Sequence, residues 1–348
     1  MKKQWKRLAA LSSAAVMAAG TLLYFPTDTL QNIPWGITAS AEETGAGTES
    51  GSQTWNEGNL TWALTADGTM TISGSGAMKD YGIDGSPAAQ KKDNIKKVVI
   101  EEDVTSIGNY AFSDCTGLES IEIPSGVKSI GVFAFKSCGS LTSINIPGSV
   151  TSIGNGAFAG CGKLTSLEIP SGVTSIGDHT FYGCSSLTSV TIPSSVTSIG
   201  ESAFESCSGL TSIEIPSGVT SIGDYTFYGC SSLTSITIPK SVESIGSDVL
   251  DGCTALTEVL LEGGSTLTSE NFGKVADKVV TRWNEDNLTW TLSADGTMTI
   301  SGSGAMTEYY GSDNSPAYDN SKIKKVVIEN GITSIGAYAF SSCNNLAS

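Results

Sequence analysis

A fixed 23-residue period constrains this chain more than any other feature. The unit reads LTSIEIPSGVTSIGDYTFYGCSS at residues 210–232 and recurs head to tail. Seven of the eight cysteines give the period by themselves, since each follows the one before at this same spacing: Cys115, Cys138, Cys161, Cys184, Cys207, Cys230 and Cys253. Such a period predicts a solenoid of stacked coils, because a single repeat cannot bury its apolar face alone.

Each coil is predicted to contain two short extended segments and one turn. Two isoleucines separated by a polar residue predict a strand that points both of them inward. A proline then ends this strand because it cannot donate to a ladder. The stretch Val-x-x-Ile-Gly predicts a second extended segment, and Ala-Phe-x-x-Cys predicts one helical turn with Phe and Cys facing the core. The predicted fold class is therefore an α/β-type repeat solenoid made mainly of short parallel strands.

A β-hairpin is predicted immediately before the first coil. Leu60, Trp62 and Leu64 alternate with polar residues, Asp67-Gly68 supplies the turn, and the returning strand has the same apolar face. A solenoid has an open apolar end, so a one-sided hairpin at this place is interpreted as an N-terminal cap.

The chain divides into seven predicted segments. They are a signal peptide at 1–41, a disordered linker at 42–53, a β-hairpin capping module at 54–94, an array of seven coils plus a terminal strand at 95–262, a connector at 263–281, a second capping module at 282–322, and the start of a second array at 323–348. The second module repeats the first, since Trp283 to Met306 reads almost letter for letter as Trp55 to Met78. One coil behind a cap should be marginally stable. The last segment is therefore interpreted as a truncated array, and the alternative is that the module docks on the first array or on another chain.

The first residues predict export. MKKQWKR is basic, an apolar run follows from Leu8 to Phe25, and Ala39-Ser40-Ala41 is a small-residue cleavage site. We expect a Sec-type signal cut after Ala41, which would leave a secreted or cell-surface protein without membrane insertion. An uncleaved anchor is the alternative, since about 18 apolar residues can just span a bilayer.

The charge of the chain excludes two classes of partner. The formal charge is −16, and because residues 1–41 carry four basic side chains and one acidic one, the remainder carries −19. A surface this acidic repels nucleic acid and anionic lipid, so neither is expected as a partner.

The cysteines are predicted to be buried free thiols. Stacked coils place equivalent residues about 4.8 Å apart with parallel side chains. A disulfide instead needs Cβ atoms about 3.5 to 4.5 Å apart that point toward each other.

No catalytic, cofactor or metal site is predicted. His179 is the only histidine, and Cys184, five positions later, occupies the buried position of the repeat. Asp80 and Asp84, with Asp313 in the second copy, are weak calcium candidates because their spacing differs between the copies.

Binding is therefore expected on an outward surface, and there are two candidates. The first is the strand face, one residue per coil between the inward apolar pair: Glu122, Asn145, Glu168, Thr191, Glu214 and Thr237. It would suit polar or basic partners but lacks aromatic anchors. The second is an aromatic set on the turn side, for which packing between coils is the competing explanation: Tyr110, Phe133, His179, Tyr182, Tyr225 and Tyr228.

The unit C-x-x-L-x-S-I-x-I-P-x-x-V-x-S-I-G-x-x-A-F closely resembles the BspA-like leucine-rich repeat of bacterial and protist surface proteins. The resemblance covers Ile95 to Leu261 and resumes at Ile323, and TADGTMTISGSGAM is similar to the segment that precedes such arrays. It implies a leucine-rich repeat with 23-residue coils and an adhesin-like role. The expected partner is a protein or glycan on host or neighbouring cells, and no catalysis is expected. The alternative is a spacer module of a longer surface protein whose functional domain lies beyond the C-terminus.

Overall fold

The structure is a computed structural model that describes residues 52–310 and 315–348. The predicted signal peptide, nearly all of the predicted linker and the calcium candidate Asp313 lie outside the described residues. Among the residues described, no helix has both the length and the apolar character needed to cross a membrane.

The first capping module is a three-stranded antiparallel sheet that continues into the array. The three antiparallel strands are β1 (Gln53–Glu57), β2 (Leu60–Leu64) and β3 (Thr69–Gly74), and a short strand β4 (Gly76–Ala77) follows them. The predicted hairpin is β2–β3, whereas β1 was not predicted. A short 3-10 helix, Ala89–Lys91, lies between β4 and the first strand of the array. Trp62 is fully buried, and its ring centroid lies 5.4 Å from that of Phe112 in the first coil.

The array consists of parallel strands at a constant offset of one repeat. They are β5 (Lys97–Ile100), β6 (Val104–Ile107), β7 (Ser120–Glu122), β8 (Ser129–Ile130), β9 (Ser152–Ile153), β10 (Ser166–Glu168), β11 (Ser175–Ile176), β12 (Ser189–Thr191), β13 (Ser198–Ile199), β14 (Ser221–Ile222), β15 (Ser235–Ile238), β16 (Ser244–Ile245) and β17 (Glu258–Glu262). Ser166 pairs with Ser189, and Ile199 pairs with Ile222. The cap joins both ladders, because β3 pairs with β5 and β4 with β6. The predicted solenoid of short parallel strands is confirmed.

The predicted helical turn at Ala-Phe-x-x-Cys is wrong. The segment is a run of tight turns, and the helices among the described residues are of the 3-10 type. Alternate N–H groups point along the solenoid axis and donate to the next coil, as from Phe112 to the carbonyl of Ala134 at 2.8 Å. A helical turn would direct these donors into its own coil, whereas here they form a third ladder between coils, the turn ladder. The phenylalanines stack above this ladder with neighbouring centroids 5.2 to 5.7 Å apart.

The predicted free thiols are confirmed. All eight cysteines are free, and seven are buried. The thiol of Cys138 donates to the carbonyl of Phe112 at 3.2 Å, and the same contact recurs at each coil from Cys161 to Cys253. Cysteine therefore suits this position, because its side chain is small and apolar and its thiol donates a weak hydrogen bond to the buried carbonyl.

The stretch predicted as a connector is an irregular additional coil. Its 3-10 helix, Ser269–Lys278, places Phe272 and Val275 in the core of the array, and Leu267 joins them there. The chain then returns as β18 (Val279–Glu285), which pairs in parallel with β17 so that Val279 lies opposite Val259. This coil is shorter than a repeat, closes the apolar end of the array and contains no copy of the repeat motif.

The second capping module docks on the first array through the β17–β18 pair. Its remaining strands are β19 (Leu288–Ser293), β20 (Thr297–Gly302) and β21 (Gly304–Ala305), and the coil that follows supplies β22 (Lys325–Ile328) and β23 (Ile332–Ser334). The module has its own core, in which Trp290 packs against Tyr309 and Phe340 with centroids 6.3 and 5.7 Å away. This pairing agrees with the docking alternative, and the truncation of the second array stays a prediction.

Candidate interaction surface on the turn side

The strand face is a solvent-exposed polar column. All six predicted residues, Glu122, Asn145, Glu168, Thr191, Glu214 and Thr237, are exposed. Lys97 forms an ion pair of 2.6 Å with Glu122, so one carboxylate of the column already has a cationic partner.

The turn side carries two columns of outward residues, one residue per coil in each. The inner column consists of His179, Ser202, Tyr225 and Asp248, and the outer column of Tyr182, Glu205, Tyr228, Asp251 and Lys274. The turn ladder holds them in place, with His179 donating to Glu201 at 2.8 Å and Tyr225 donating to Ser247 at 2.9 Å through their backbones. Positions held by backbone bonds on both sides form a rigid platform.

The predicted aromatic set separates into two groups. Tyr110 and Phe133 pack on each other with centroids 5.3 Å apart. Phe133 also covers Gly156, where an added Cβ would lie 2.1 Å from its ring. These two residues therefore serve packing between coils, as the competing explanation predicted.

The remaining aromatic residues are presented outward in pairs. His179 lies beside Tyr182, and Tyr225 lies beside Tyr228, with centroids 6.0 Å apart in each pair. Tyr182, Tyr225 and Tyr228 are 41%, 38% and 40% exposed. Rings of this size with both a polar group and a free face are typical binding anchors.

A groove of 590 Å³ opens between the aromatic pairs, and we call it the turn groove. It is lined by His179, Glu201, Ser202, Glu205, Tyr225, Tyr228, Asp248, Asp251 and Lys274. It opens here because Ser202, a small residue, stands between His179 and Tyr225 in the inner column. The corresponding gap at Gly156 is instead filled by the ring of Phe133.

The electrostatics of the turn groove are acidic. Four carboxylates line it against the single ammonium of Lys274, which forms an ion pair with the buried Asp251. The hydrogen bond and charge of Asp251 raise the pKa of Lys274. The Ser202 hydroxyl donates to Glu205 at 2.5 Å and thereby holds that carboxylate at the wall.

The inner column is held in an unusual backbone conformation. His179, Tyr225 and Asp248 have φ values of 56°, 55° and 53°, a region that disfavours bulky side chains. The turn ladder maintains this conformation, which aims each side chain away from the coil.

Several groups of the turn groove were missed at the sequence level: Glu201, Glu205, Asp248, Asp251 and Lys274. Their signal was present as variation at fixed repeat positions, because Ser202, Tyr225 and Asp248 occupy one position in three consecutive coils.

A ladder of Asp and Asn side chains was missed as well. Asp178 accepts the backbone N–H of Glu201 at 2.9 Å, and Asp80, Asn109, Asn155 and Asp224 each accept an N–H of the following coil.

The two described calcium candidates have other partners. Asp80 accepts the N–H of Asn109 at 3.0 Å, and Asp84 forms an ion pair of 3.1 Å with Lys92. Within residues 52–310 and 315–348, no three His, Cys, Asp or Glu side chains cluster as metal ligands would.

His179 and Cys184 do not form a nucleophile pair. The thiol of Cys184 is buried and donates to the carbonyl of Phe158 at 3.3 Å. Desolvation raises its pKa to about 12, so the thiolate needed for attack is scarce at neutral pH.

Comparison with known proteins identifies one family. Its sequence profile, described as BspA type Leucine rich repeat region, matches residues 86–208, 151–275 and 313–348 and so spans more than half of the chain. No curated protein matches.

Three solved bacterial structures illustrate the similarity. A leucine-rich repeat protein from Eubacterium ventriosum is 25% identical, with 86% of this chain and 90% of that chain covered and a TM-score of 0.41. A leucine rich cell surface protein from Faecalibacterium prausnitzii is 28% identical, with 84% and 75% covered and a TM-score of 0.40. The leucine-rich repeat protein of T. pallidum is 28% identical, with 59% and 91% covered and a TM-score of 0.39.

Proposed function

Because the chain belongs to the BspA type leucine-rich repeat family, we propose that it is an exported, non-catalytic surface scaffold with an adhesin-like role. It binds a protein or glycan on host or neighbouring cells. The observation that carries this proposal is the turn groove, where exposed tyrosines and carboxylates from consecutive coils surround a volume of 590 Å³. Small pockets with aromatic walls and a few polar groups are the usual form of a recognition site.

Export is supported by the first 41 positions of the sequence. A basic start, an apolar run and Ala39-Ser40-Ala41 follow the order of a Sec-type signal. N-terminal sequencing of the protein recovered outside the producing cell should begin at Glu42. Recovery of the intact N-terminus in the membrane fraction would instead support the uncleaved anchor.

Binding is tested with the purified chain, fluorescently labelled, on host cells, extracellular matrix and bacterial cell-wall fractions. We expect saturable binding to at least one of these, and weaker binding by Tyr228→Ala, which removes an exposed ring from the groove. The control is Tyr318→Ala in the second module, outside the groove. Absence of saturable binding to every fraction would contradict the adhesin-like role.

The second candidate function is that of a spacer in a longer surface protein. Direct pairing of β18 with β17 favours it, because strand pairing joins two modules more rigidly than a flexible linker does. A spacer would give no saturable binding in the assay above. For a spacer, removal of coils should instead reduce the exposure of the longer protein at the cell surface.

A further inference from the structure

We propose that the turn groove binds a cationic polypeptide segment and receives an arginine or lysine side chain between its tyrosines and carboxylates. This rests on the proposed function and specifies the chemistry of the partner.

The charge of the groove favours a cation. Glu201, Glu205 and Asp248 remain as carboxylates without an ammonium among the residues of the groove, since Lys274 is paired with Asp251. Glu201 and Asp248 are exposed at the rim, and Glu205 is half-buried in the wall. A concave wall with one sign of charge raises the local concentration of ligands with the opposite sign.

The array itself contains a cation at the equivalent place. Four coils before Tyr225 and Tyr228, the same two positions are occupied by Phe133 and Lys136. The ammonium of Lys136 lies 5.9 Å from the centroid of the Phe133 ring, within the range of a cation–π contact. At the turn groove Tyr228 occupies the position equivalent to Lys136, so the array supplies no cation to the Tyr225 ring and a ligand would have to bring one.

A second internal example involves the carboxylates. Lys274, from the irregular coil after the array, pairs with Asp251 at one end of the groove. A carboxylate of the outer column therefore already binds an ammonium group. Ligand cations would repeat this contact at Glu205, one repeat position before Tyr228 in the same column.

A cationic peptide fits this lining better than a neutral glycan. The four carboxylates accept hydrogen bonds and also carry negative charge, and a neutral sugar can satisfy the first property but not the second. Arginine supplies five donors and a planar group that stacks on aromatic rings.

The test measures binding of the purified chain to a synthetic peptide of alternating arginine and glycine by titration calorimetry. The matched probe has citrulline in place of arginine, which keeps the shape and removes the charge. The groove variant is E201Q/E205Q/D248N, and the control variant E122Q/E168Q/E214Q removes the same charge from the strand face. We expect about tenfold or greater loss of affinity in the groove variant, at most about twofold loss in the control, and weak binding of the citrulline peptide.

A further variant tests the contribution of the Tyr225 ring to binding. Tyr225→Gly removes the side chain without backbone strain, because glycine tolerates the positive φ and Gly156 already stands at the equivalent position. This variant should fold, as judged by an unchanged melting temperature, and should bind the arginine peptide several-fold more weakly through loss of the cation–π contact.

The outcomes separate the inference from the proposed function. Equal loss in the groove and control variants, or equal binding of the citrulline peptide, would overturn the inference by reducing it to general attraction. If a neutral oligosaccharide of N-acetylglucosamine binds while the arginine peptide does not, the inference fails and the adhesin-like role stands. If neither probe nor any cell or matrix fraction binds, both fail.

Discussion

At the scale of the residue, the buried cysteine that ends each turn combines a small side chain with a hydrogen-bond donor. Seven such thiols are buried, and in each coil after the first the Sγ–H donates to a phenylalanine carbonyl of the coil before. Alanine would leave that carbonyl without this donor, and a larger side chain would have no room in the closely packed core.

Alkylation should distinguish one cysteine from the other seven. Cys343 is only partly buried and so is accessible to a reagent, whereas the other seven thiols are buried. Iodoacetamide at neutral pH should therefore label Cys343 alone in the native protein and all eight after denaturation, as counted by intact mass. Native labelling of Cys184 or Cys207 would contradict the buried column, and Cys343→Ala is the control that should abolish native labelling.

The thiol column should also make the fold sensitive to alkali. Burial raises the pKa in the folded state from the ordinary value of 9.0 to about 11 for Cys253 and about 12 for Cys115 and Cys184. A raised pKa contributes stability that is complete below pH 9 and is lost as the pH rises through the folded pKa. Between these values each thiol should lower the free energy of unfolding by about 1.4 kcal/mol per pH unit.

This dependence can be measured by urea unfolding from pH 8 to 11. The variant Cys184→Ala should show a slope shallower by about 1.4 kcal/mol per pH unit above pH 9. The variant Cys343→Ala removes a partly exposed thiol and should change the slope less. Identical slopes in Cys184→Ala and the parent chain would show that the buried thiols do not control the alkaline transition.

At the scale of the element, the two capping modules have nearly the same sequence and different neighbours. In the second module, β17 pairs with the residues that begin β18, including Val279 and Val280. The corresponding residues of the first module are Gly51 and Ser52, which offer no apolar side chain for such a contact. The second module therefore begins with two apolar residues that pair with an array, and the first module has none at the corresponding positions.

Exchange of those residues should loosen the second module. In Val279→Gly with Val280→Ser, the β17–β18 contact loses its apolar side chains, and Val279 is buried in the parent chain. Limited proteolysis should then release the segment after residue 281 faster while the array survives as a protected fragment.

The matched control is Thr281→Gln, which also introduces the residue of the first module and should leave the cleavage rate nearly unchanged. Rapid loss of residues 282–348 from the parent chain itself would contradict stable docking and would favour the truncated-array interpretation.

At the scale of the whole molecule, the solenoid is built from interchangeable coils. Three ladders run between coils: the two strand ladders and the turn ladder, all at the repeat offset. Each coil contacts only its neighbours, so the stability of the array is close to a sum of local contributions.

Deletion of one complete coil should therefore preserve the fold. Removal of residues 125–147 joins Pro124 to Gly148 and restores every ladder register. The shortened chain should unfold cooperatively, should be shorter by about 4.8 Å in solution scattering, and should keep an intact turn groove. Removal of residues 125–135 breaks all three registers at one coil, and this control should unfold in two steps, because the coils on either side of the junction no longer pair with each other. Equal behaviour of the two deletions would contradict the modular account.

Much of the architecture could be predicted because it depends on local spacing. The 23-residue period, the inward isoleucines, the buried Phe and Cys columns and the β2–β3 hairpin all follow from which residues face the core. The turns at Ala-Phe-x-x-Cys could not be predicted, because their N–H groups take partners in the next coil. The irregular coil with Phe272 and Val275 carries no repeat motif, and only its contact with the array core gives it a role.

The amino-acid sequence alone specifies that the chain is a solenoid, where each coil begins and which residues form its core. This is possible because the repeats are nearly identical, so that each inward position of one coil stacks on the same residue type in the next. Which outward residues meet depends on the folded molecule. His179, Glu205, Tyr228 and Lys274 come from different coils, and they line one groove because the ladders stack equivalent positions and the small Ser202 leaves space between larger side chains. The repeat pattern sets the direction in which each side chain points. A binding site depends on differences in size and charge between side chains at equivalent positions of neighbouring coils.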